Sequence, residues 1–254
     1  MPLQMGNALA GRTAVVTGGS SGIGLATAQL FAEEGAGVVI VARNEARLRS
    51  AAESIGAGAS WVSSDLGSEA GALALAGALR DRAQRIDVLF ANAGASNAPE
   101  LLDTSERDFD LVIDTNLKSV FFTVIRCFEL LNDGASVILS SSVAAGLGRV
   151  GDPLYSASKA AVRSLGRGLA AHPDFLSRRI RVNVLSFGAV ATPMTGSEDA
   201  EHADALEQWA QQNIPVRRWA SPSEAAQPAL FLASDASSYM TGSELAVDGG
   251  LAQL

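Results

Sequence analysis

Short apolar runs rich in β-branched residues recur along the chain and alternate with longer Ala- and Leu-rich stretches of helical periodicity. The runs cover residues 13–17, 37–42, 60–64, 87–94, 136–142, 180–186 and 243–250. Continuous apolar strands that alternate with helices are typical of βαβ units, in which helices cover both faces of a parallel sheet. Since such crossovers are right-handed, the pattern predicts an α/β fold with a doubly wound sheet.

Nothing in the composition marks a domain boundary, because the 254 residues contain no linker-like Pro/Gly/Ser segment and no internal repeat. We therefore expect one domain over residues 1–254. The least regular stretch, residues 188–224, is polar and contains three prolines. We expect it to include a short helix around 200–213 and to form a substrate loop that covers a site; a surface loop without a role is the alternative.

Composition and charge exclude several functions. A net charge of −8 argues against a nucleic-acid or anionic-membrane surface. We find no apolar run of the roughly 18 residues that a membrane span needs, and no secretory signal pattern at the N-terminus. One cysteine, Cys127, allows no internal disulfide, and with two histidines we expect no metal site. These features favour a cytoplasmic protein.

Glycines at positions 18, 22 and 24 lie between the first apolar run and the helical stretch that follows it. In this context glycines let the backbone turn tightly and approach a pyrophosphate, while the start of the helix supplies N–H groups and a positive dipole end. A plain strand-to-helix turn needs one or two glycines at most. The spacing therefore predicts a dinucleotide site.

The end of the second apolar run bears on the choice of dinucleotide. An acidic residue here would bind the ribose hydroxyls of NAD, but this chain has Ala42 followed by Arg43. A guanidinium can pair with the 2′-phosphate of NADP. We therefore predict NADP as the preferred cofactor, with NAD as the alternative if Arg43 is an ordinary solvated residue.

Tyr155 and Lys159, in the sequence "YSASK", are four residues apart, which places them on one face of a helix. We expect the ammonium to lower the pKa of the phenol, so that Tyr155 can act as a general acid/base. Ser142 ends a predicted strand and could bind the same substrate oxygen. Asn116 lies within a predicted helix, where asparagine is mildly unfavourable.

Five markers occur in order: "TGGSSGIG" (17–24), "NAG" (92–94), Asn116, Ser142 and "YSASK" (155–159). Together they resemble the short-chain dehydrogenase/reductase family, from about residue 10 to the C-terminus. The resemblance implies a Rossmann-like sheet of seven strands and an NAD(P)(H)-dependent oxidoreductase that interconverts a ketone or aldehyde and an alcohol. It also implies that Tyr155 is the general acid/base beside Ser142 and Lys159, with Asn116 in a water-mediated proton relay. A dinucleotide sensor or scaffold without turnover is the alternative.

The glycine pattern and the resemblance together define a set of cofactor contacts. The resemblance implies that Asp65 contacts the adenine ring and that Val190 and Thr192 hold the nicotinamide amide. Phe187 departs from the family, which usually has proline before Gly188. The complete predicted set is Gly18, Ser20, Ser21, Gly22, Ile23, Gly24, Arg43, Asp65, Leu66, Asn92, Ala93, Gly94, Tyr155, Lys159, Gly188, Val190 and Thr192.

The expected partner is a small carbonyl or alcohol. Leu147, Val150, Leu154, Val190 and Met194 suggest an apolar pocket. Its substrate stays open among a hydrophobic or aromatic ketone, a steroid-like alcohol, a sugar and a β-ketoacyl thioester. An enoyl reductase is disfavoured, since those of the family place more residues between tyrosine and lysine.

The resemblance also implies a homotetramer. Its interfaces would be formed by helices over 116–131 and 155–171 and by the C-terminal residues 247–254. The stretch 172–179 is about two residues longer than usual and carries Pro173, so the Tyr155 helix should end or kink there. A dimer is the alternative.

Overall fold

The computed structural model describes residues 6–56, 58–96, 101–148, 152–196 and 203–254. Within them, seven parallel strands form one sheet in the order β3-β2-β1-β4-β5-β6-β7. The main elements are β1 (Thr13–Thr17), α1 (Gly22–Glu33), β2 (Gly37–Ala42), α2 (Glu45–Ile55), β3 (Ala59–Ser63), α3 (Glu69–Asp81), β4 (Ile86–Ala91), α4 (Glu106–Ile113), α5 (Ser119–Cys127), β5 (Leu131–Ser142), α6 (Pro153–Ala170), α7 (Pro173–Ser177), β6 (Arg181–Phe187), α8 (Ala203–Asn213), α9 (Pro222–Ala233) and β7 (Glu244–Val247).

The two faces of the sheet bury two separate apolar cores, because successive strand side chains point to opposite faces. On β1, Val15 enters one core and Val16 the other. The first core joins the sheet to α3, α5 and α6, with Leu75, Val124 and Val162 among its members. The second joins it to α1, α2 and α9. The prediction of a seven-stranded, Rossmann-like parallel sheet with helices on both faces is confirmed.

The strand order reverses between β1 and β4, so the connections that leave these two strands run in opposite directions. Ligands of open α/β sheets bind in the crevice at the carboxyl ends of the strands at such a point. The predicted glycine loop follows β1, and the "NAG" residues follow β4. Because β4 ends at Ala91, those three residues form a loop at the crevice rather than the end of the strand that we predicted.

The predicted helix from residue 116 to 131 is divided in the structure. A π-helical turn (Asp114–Lys118) precedes α5, and a 3₁₀ turn (Phe128–Leu130) follows it. β5 begins at Leu131, five residues earlier than predicted, with a register irregularity against β4. Arg85 and Arg178 both donate hydrogen bonds to the Leu131 carbonyl, and these bonds hold the early part of the strand.

The helix α6 ends at Ala170 and α7 begins at Pro173, in agreement with the prediction that Pro173 ends or kinks the Tyr155 helix. Proline is tolerated at a first helical position, where its missing N–H would have no partner in any case. In the substrate loop, α8 covers most of the predicted helix around 200–213; residues 200–202 lie outside the described residues. Among the helices of the described residues, none is long and apolar enough to cross a membrane.

Candidate active site

A cleft of about 360 Å³ opens at the carboxyl ends of the strands. It is lined by the predicted residues Gly18, Ser20, Ser21, Gly22, Ile23, Arg43, Asp65, Leu66, Asn92, Ala93, Gly94, Ser142, Tyr155, Lys159, Gly188, Val190 and Thr192. The predicted residues Gly24 and Asn116 do not line it. Gly24 packs against the backbone of Gly18, and Asn116 is bonded to the backbone of Ala95, so both support loops that line the cleft.

The glycine loop forms one end of the cleft, and its glycines are required by close backbone packing. A Cβ at Gly24 would lie 2.3 Å from the Gly18 carbonyl oxygen, and a Cβ at Gly18 would lie 3.1 Å from the Cα of Ala93. Gly18 and Gly22 also have positive φ values of 67° and 53°. A side chain at these positions would therefore fill or distort the cradle.

This cradle fits the pyrophosphate of a dinucleotide. The helix α1 begins at Gly22, and its N-cap residue Ser21 makes no side-chain capping bond. The first N–H groups of a helix have no intrahelical partner, and together with the helix dipole they favour an anion. The glycine cradle and the uncapped helix start therefore match the group that the sequence predicts.

The loop after β4 is fixed to the end of β1 by side-chain bonds. The Thr17 hydroxyl accepts from the backbone N–H groups of Asn92 (2.9 Å) and Ala93 (3.0 Å), and the Asn92 amide donates to the Thr17 carbonyl (3.3 Å). A Cβ at Gly94 would lie 3.2 Å from Lys159 Nζ. The backbone of the loop therefore passes close to the polar groups of the site.

Two arginines stand at the opposite end of the cleft. Arg43 is exposed just after β2, and Arg47, which we did not predict, lines the same wall from the first turn of α2. The Asn44 side chain caps this helix by accepting from Arg47 N–H at 2.9 Å. Over the described residues, neither guanidinium forms an ion pair. The sequence signal was a second arginine four residues after Arg43, at a position that becomes the first turn of α2.

The predicted catalytic side chains meet at the centre of the cleft. Tyr155 lies in the first turn of α6, and Lys159 Nζ is 5.7 Å from the centre of its ring. Lys159 Nζ donates to the Ser140 carbonyl at 3.1 Å. Ser142 ends β5 and forms a hydrogen bond with the Tyr155 phenol. The Ser142 hydroxyl is held by the Ala144 N–H and the Phe187 carbonyl.

The electrostatics of this group differ from our expectation. The pKa of Tyr155 is raised rather than lowered, because burial disfavours the phenolate more than the Ser142 hydrogen bond favours it. The nearby Asp152 carboxylate also raises it. Burial lowers the pKa of the Lys159 ammonium to about 8. The expected lowering of the Tyr155 pKa is therefore not found in this structure, and Lys159 is not among the causes of its shift.

Asn116 lies in the π-helical turn and is fully buried. Its amide oxygen accepts from Ala95 N–H at 2.7 Å, and its amide nitrogen donates to the Ala95 carbonyl (2.9 Å) and to the Ser158 hydroxyl (3.0 Å). π-helical turns often occur at functional sites. This turn lets one side chain join the loop after β4 to the helix that carries Tyr155.

The predicted apolar pocket is brought together in part. Val190 and Met194 line the cleft, whereas Leu147 and Leu154 do not, and Val150 lies outside the described residues. Phe187, at the position where the family usually has proline, is buried and lines the cleft, and its carbonyl accepts from Ser142. The backbone continues into Gly188, where a Cβ would lie 2.7 Å from the Cα of Asp248.

A family profile described as enoyl-(acyl carrier protein) reductase matches residues 18–252. A 3-oxoacyl-[acyl-carrier-protein] reductase, FabG of Chlamydia pneumoniae, is 38% identical over 250 residues, which is 96% of this chain and 98% of the relative. A solved structure described as a short chain dehydrogenase/reductase family protein has a TM-score of 0.84 and 38% identity, and covers 97% of this chain and 100% of its own. The Pseudomonas aeruginosa RhlG/NADP active-site complex has a TM-score of 0.90 and 35% identity, and covers 98% and 100%.

The fold, the glycine cradle and the Ser142–Tyr155–Lys159 group define a nicotinamide-dinucleotide oxidoreductase. The chain belongs to the short-chain dehydrogenase/reductase family.

Proposed function

We propose that the protein is an NADP(H)-dependent reductase that interconverts a ketone and a secondary alcohol. The proposal rests on one observation: Ser142, Tyr155 and Lys159 lie together at the centre of the cleft. The glycine loop forms one end of the same cleft. A protein that merely binds a dinucleotide has no need of a buried proton donor beside a buried ammonium. This argument favours turnover over the sensor or scaffold alternative.

Ser142 and Tyr155 have different roles in carbonyl reduction. When bound, the cofactor supplies or accepts a hydride. The Ser142 hydroxyl, at the end of β5, holds the substrate oxygen, and the Tyr155 phenol gives that oxygen a proton. Because burial raises the pKa of Tyr155, the phenol stays protonated near neutral pH, as a general acid for reduction must.

Lys159 and Asn116 position the reacting groups. Lys159 keeps Nζ beside the phenol while one of its N–H groups is fixed on the Ser140 carbonyl, which leaves two donors for a ribose hydroxyl. Asn116 binds the loop after β4 to α6 directly, through Ala95 and Ser158. We propose that its amide holds the proton path in place.

The substrate class that we propose to test first is a 3-oxoacyl thioester, because a relative that matches almost the whole chain carries that activity in its name. The test is a panel of 3-oxoacyl thioesters, aromatic ketones and ketoses, with NADPH consumption followed by absorbance. Consumption with one carbonyl class supports the proposal. If no carbonyl of the panel is reduced and no corresponding alcohol is oxidised at saturating cofactor, the result contradicts the proposal and favours the binding-protein alternative.

Replacing Tyr155 with phenylalanine removes the proton donor and keeps the ring. We expect turnover to fall by roughly 10² to 10⁴-fold, the usual contribution of general acid/base catalysis. The affinity for NADPH, measured by fluorescence titration, should be nearly unchanged. The matched control is Tyr239→Phe, since Tyr239 is wholly exposed. Near-normal turnover in Tyr155→Phe would show that another group gives the proton.

The two arginines predict the cofactor preference. We expect Arg47→Ala to weaken NADPH binding by roughly ten- to a hundred-fold, because a charge-assisted hydrogen bond to a phosphate is worth about 1.5–3 kcal/mol. Arg43→Ala should act in the same way, and Ala42→Asp should shift the preference toward NADH. The control is Arg49→Ala, since Arg49 pairs with Glu45 and does not line the cleft.

The measurement is kcat/KM with NADPH and with NADH for each variant. NADH binding should be unaffected by the two arginine substitutions, because NADH lacks the phosphate. A wild type that prefers NADH would overturn the assignment of Arg43 and Arg47.

We also propose that residues 1–254 form one domain and that the protein works in the cytoplasm. We further propose that it assembles as a homotetramer. The assembly is supported by the exposed apolar side chains of α4 and α5, Phe109, Leu111 and Phe121. These would be buried between copies of the chain.

A further inference from the structure

An ion pair joins the helix of Tyr155 to the last strand of the sheet. The Nε and Nη2 atoms of Arg163, on α6, lie 2.8 and 2.6 Å from Oε2 of Glu244 on β7. The other carboxylate oxygen, Oε1, accepts a 2.6 Å hydrogen bond from the Ser186 hydroxyl on β6. Arg167 lies further out, 3.9 Å from Oε2, and is exposed. Each oxygen of Glu244 therefore holds a different element.

The register of the strands brings Arg163, Glu244 and Ser186 together. Glu244 is paired with Val184 on β6, and Ser186 lies on the same face as Val184 because it is two residues further along the strand. The helix α6 covers that face, since a Cβ at Gly166 would lie 2.5 Å from Val184 Cγ2. Arg163 comes three residues before Gly166, on the same side of the helix. This network therefore lies between α6 and the sheet, with its two charged side chains 28% and 21% exposed.

The hydroxyl of Ser142 is held by two backbone groups, and each of them is next to this network. The first group is the Ala144 N–H, which belongs to the 3₁₀ turn Val143–Gly146. Arg163 packs against the end of this turn, because a Cβ at Gly146 would lie 3.1 Å from Arg163 Nη1. The guanidinium therefore supports the turn from the side of the helix.

The second group is the Phe187 carbonyl, which accepts from the Ser142 hydroxyl at 3.3 Å. Phe187 directly follows Ser186, whose side chain is bonded to Glu244. The network therefore supports both groups that orient the Ser142 hydroxyl, one from the helix and one from the sheet. Because Ser142 also bonds to the Tyr155 phenol, and Tyr155 lies on α6, the contacts form a closed ring.

Stability alone does not explain why a charged pair occupies this place. Taking two charges out of water costs free energy, and replacing such a pair by apolar side chains of similar volume is often neutral or stabilising. An apolar pair could fill the same space, but it could not bond to the Ser186 hydroxyl. A guanidinium on a carboxylate also fixes the direction of both side chains, which an apolar contact does not.

We propose that Arg163 and Glu244 are positioning residues, which hold the Ser142 hydroxyl where the substrate oxygen binds. Neither is among the described residues that line the cleft, so both act through Ser142 and not on the reacting atoms. The proposal rests on the proposed function, in which Ser142 holds the substrate oxygen.

The test variant is Arg163→Met with Glu244→Met, which removes the pair and leaves no buried charge without a partner. Amide hydrogen exchange over residues 142–148 is the first readout, and it needs neither cofactor nor substrate. We expect the Ala144 N–H to exchange up to about tenfold faster, because its bond to Ser142 is weakened. Unchanged exchange would overturn the proposal. If the double variant does not fold, Ser186→Ala, which leaves the ion pair intact, provides the same test.

Kinetics provide the second readout. We expect kcat and kcat/KM for the carbonyl to fall together by up to roughly a hundred-fold, the cost of a small misplacement at a reacting centre. The affinity for NADPH should stay nearly unchanged. Faster exchange with normal turnover would mean that the network stiffens the fold without serving catalysis, and the positioning role would then be wrong.

The matched control is Arg12→Met with Asp235→Met. Arg12 pairs with Asp235 at 2.7 Å, and its side chain is 27% exposed, close to the 28% of Arg163. Arg12 precedes β1, at the opposite edge of the sheet from the cleft. This control should change neither turnover nor exchange over residues 142–148. Equal effects of the two double variants would overturn the proposal.

The two readouts separate this proposal from the proposed function. If exchange is faster in the test variant while the wild type reduces no carbonyl, the network holds Ser142 and the proposed function fails. If the wild type turns over a carbonyl and the test variant matches it in both readouts, the proposed function stands and the role of Arg163 and Glu244 is wrong.

Discussion

At the residue scale, the site keeps an ammonium where water is excluded. Lys159 is 3% exposed, and the hydrogen bond to the Ser140 carbonyl satisfies one of its three donors. Burial lowers its pKa from 10.5 to about 8, a difference that corresponds to roughly 3 kcal/mol as an upper limit. We attribute this cost to the proposed catalytic role of Lys159, since perturbed pKa values cluster at functional sites.

The lowered pKa of Lys159 predicts how the free energy of unfolding depends on pH. Between the folded pKa of about 8 and the unfolded value of 10.5, the unfolded chain binds a proton at Lys159 that the folded chain does not. Stability from this group therefore rises with pH across that window and is lowest below it. We expect Lys159→Met, which keeps the length of the side chain, to remove this rise and to increase the free energy of unfolding at neutral pH.

Denaturant unfolding near pH 7 and near pH 10 measures both effects, and turnover should be lost in the same variant. A variant that is less stable than the wild type at neutral pH would show that the bond to Ser140 outweighs the desolvation of the charge.

At the element scale, the contact between α6 and the sheet depends on one glycine. A Cβ at Gly166 would lie 2.5 Å from Val184 Cγ2 on β6. This close approach sets the distance of the helix from the sheet, and so the depth at which Tyr155 and Lys159 stand in the cleft. By contrast, Gly77 in α3 has open space where its Cβ would be.

The two glycines predict opposite effects of alanine. Gly166→Ala should destabilise the protein by about 1–3 kcal/mol, because the added methyl overpacks a core contact. Gly77→Ala should stabilise it by roughly 0.5–1 kcal/mol, since glycine is unfavourable inside a helix. Thermal unfolding of both variants is the measurement. Equal effects of the two substitutions would mean that the helix can move away from the sheet at no cost.

At the scale of the whole molecule, α4 and α5 leave large apolar side chains in contact with water. Phe109 is 49% and Phe121 41% exposed, although both lie on helices that pack against the body of the protein. Single exposed apolar residues are ordinary, whereas groups of them often mark an interface. The proposed homotetramer would bury this face against another copy.

Sedimentation velocity at micromolar concentration should show a homo-oligomer. We expect Phe121→Glu to dissociate it at least in part, because a charge would then be buried between copies. Leu73→Glu is the control: Leu73 is 52% exposed on α3, a neighbouring helix that is not part of the proposed interface. A monomeric wild type would contradict the assembly, and equal dissociation by both variants would place the interface elsewhere.

The sequence alone determined the architecture and most of the lining of the cleft. Continuous apolar runs can be buried on both sides only in a sheet covered by helices, so the seven strands were predictable to within a few residues, apart from the early start of β5. Gly18 and Gly22 were predictable because the tight turn is a local requirement. The four-residue spacing of Tyr155 and Lys159 likewise fixes their shared face.

Only the tertiary structure decided the properties that depend on distant neighbours. Asn116 forms hydrogen bonds with Ala95 and Ser158, which are far from it in sequence. It does so from a π-helical turn that no local sequence pattern predicted. The pKa of Tyr155 is raised, against our expectation, because its burial is set by everything packed around α6. The sequence spacing of Tyr155 and Lys159 places their polar groups near each other. The packing of the whole chain decides how far these groups are removed from water, and therefore decides their pKa values.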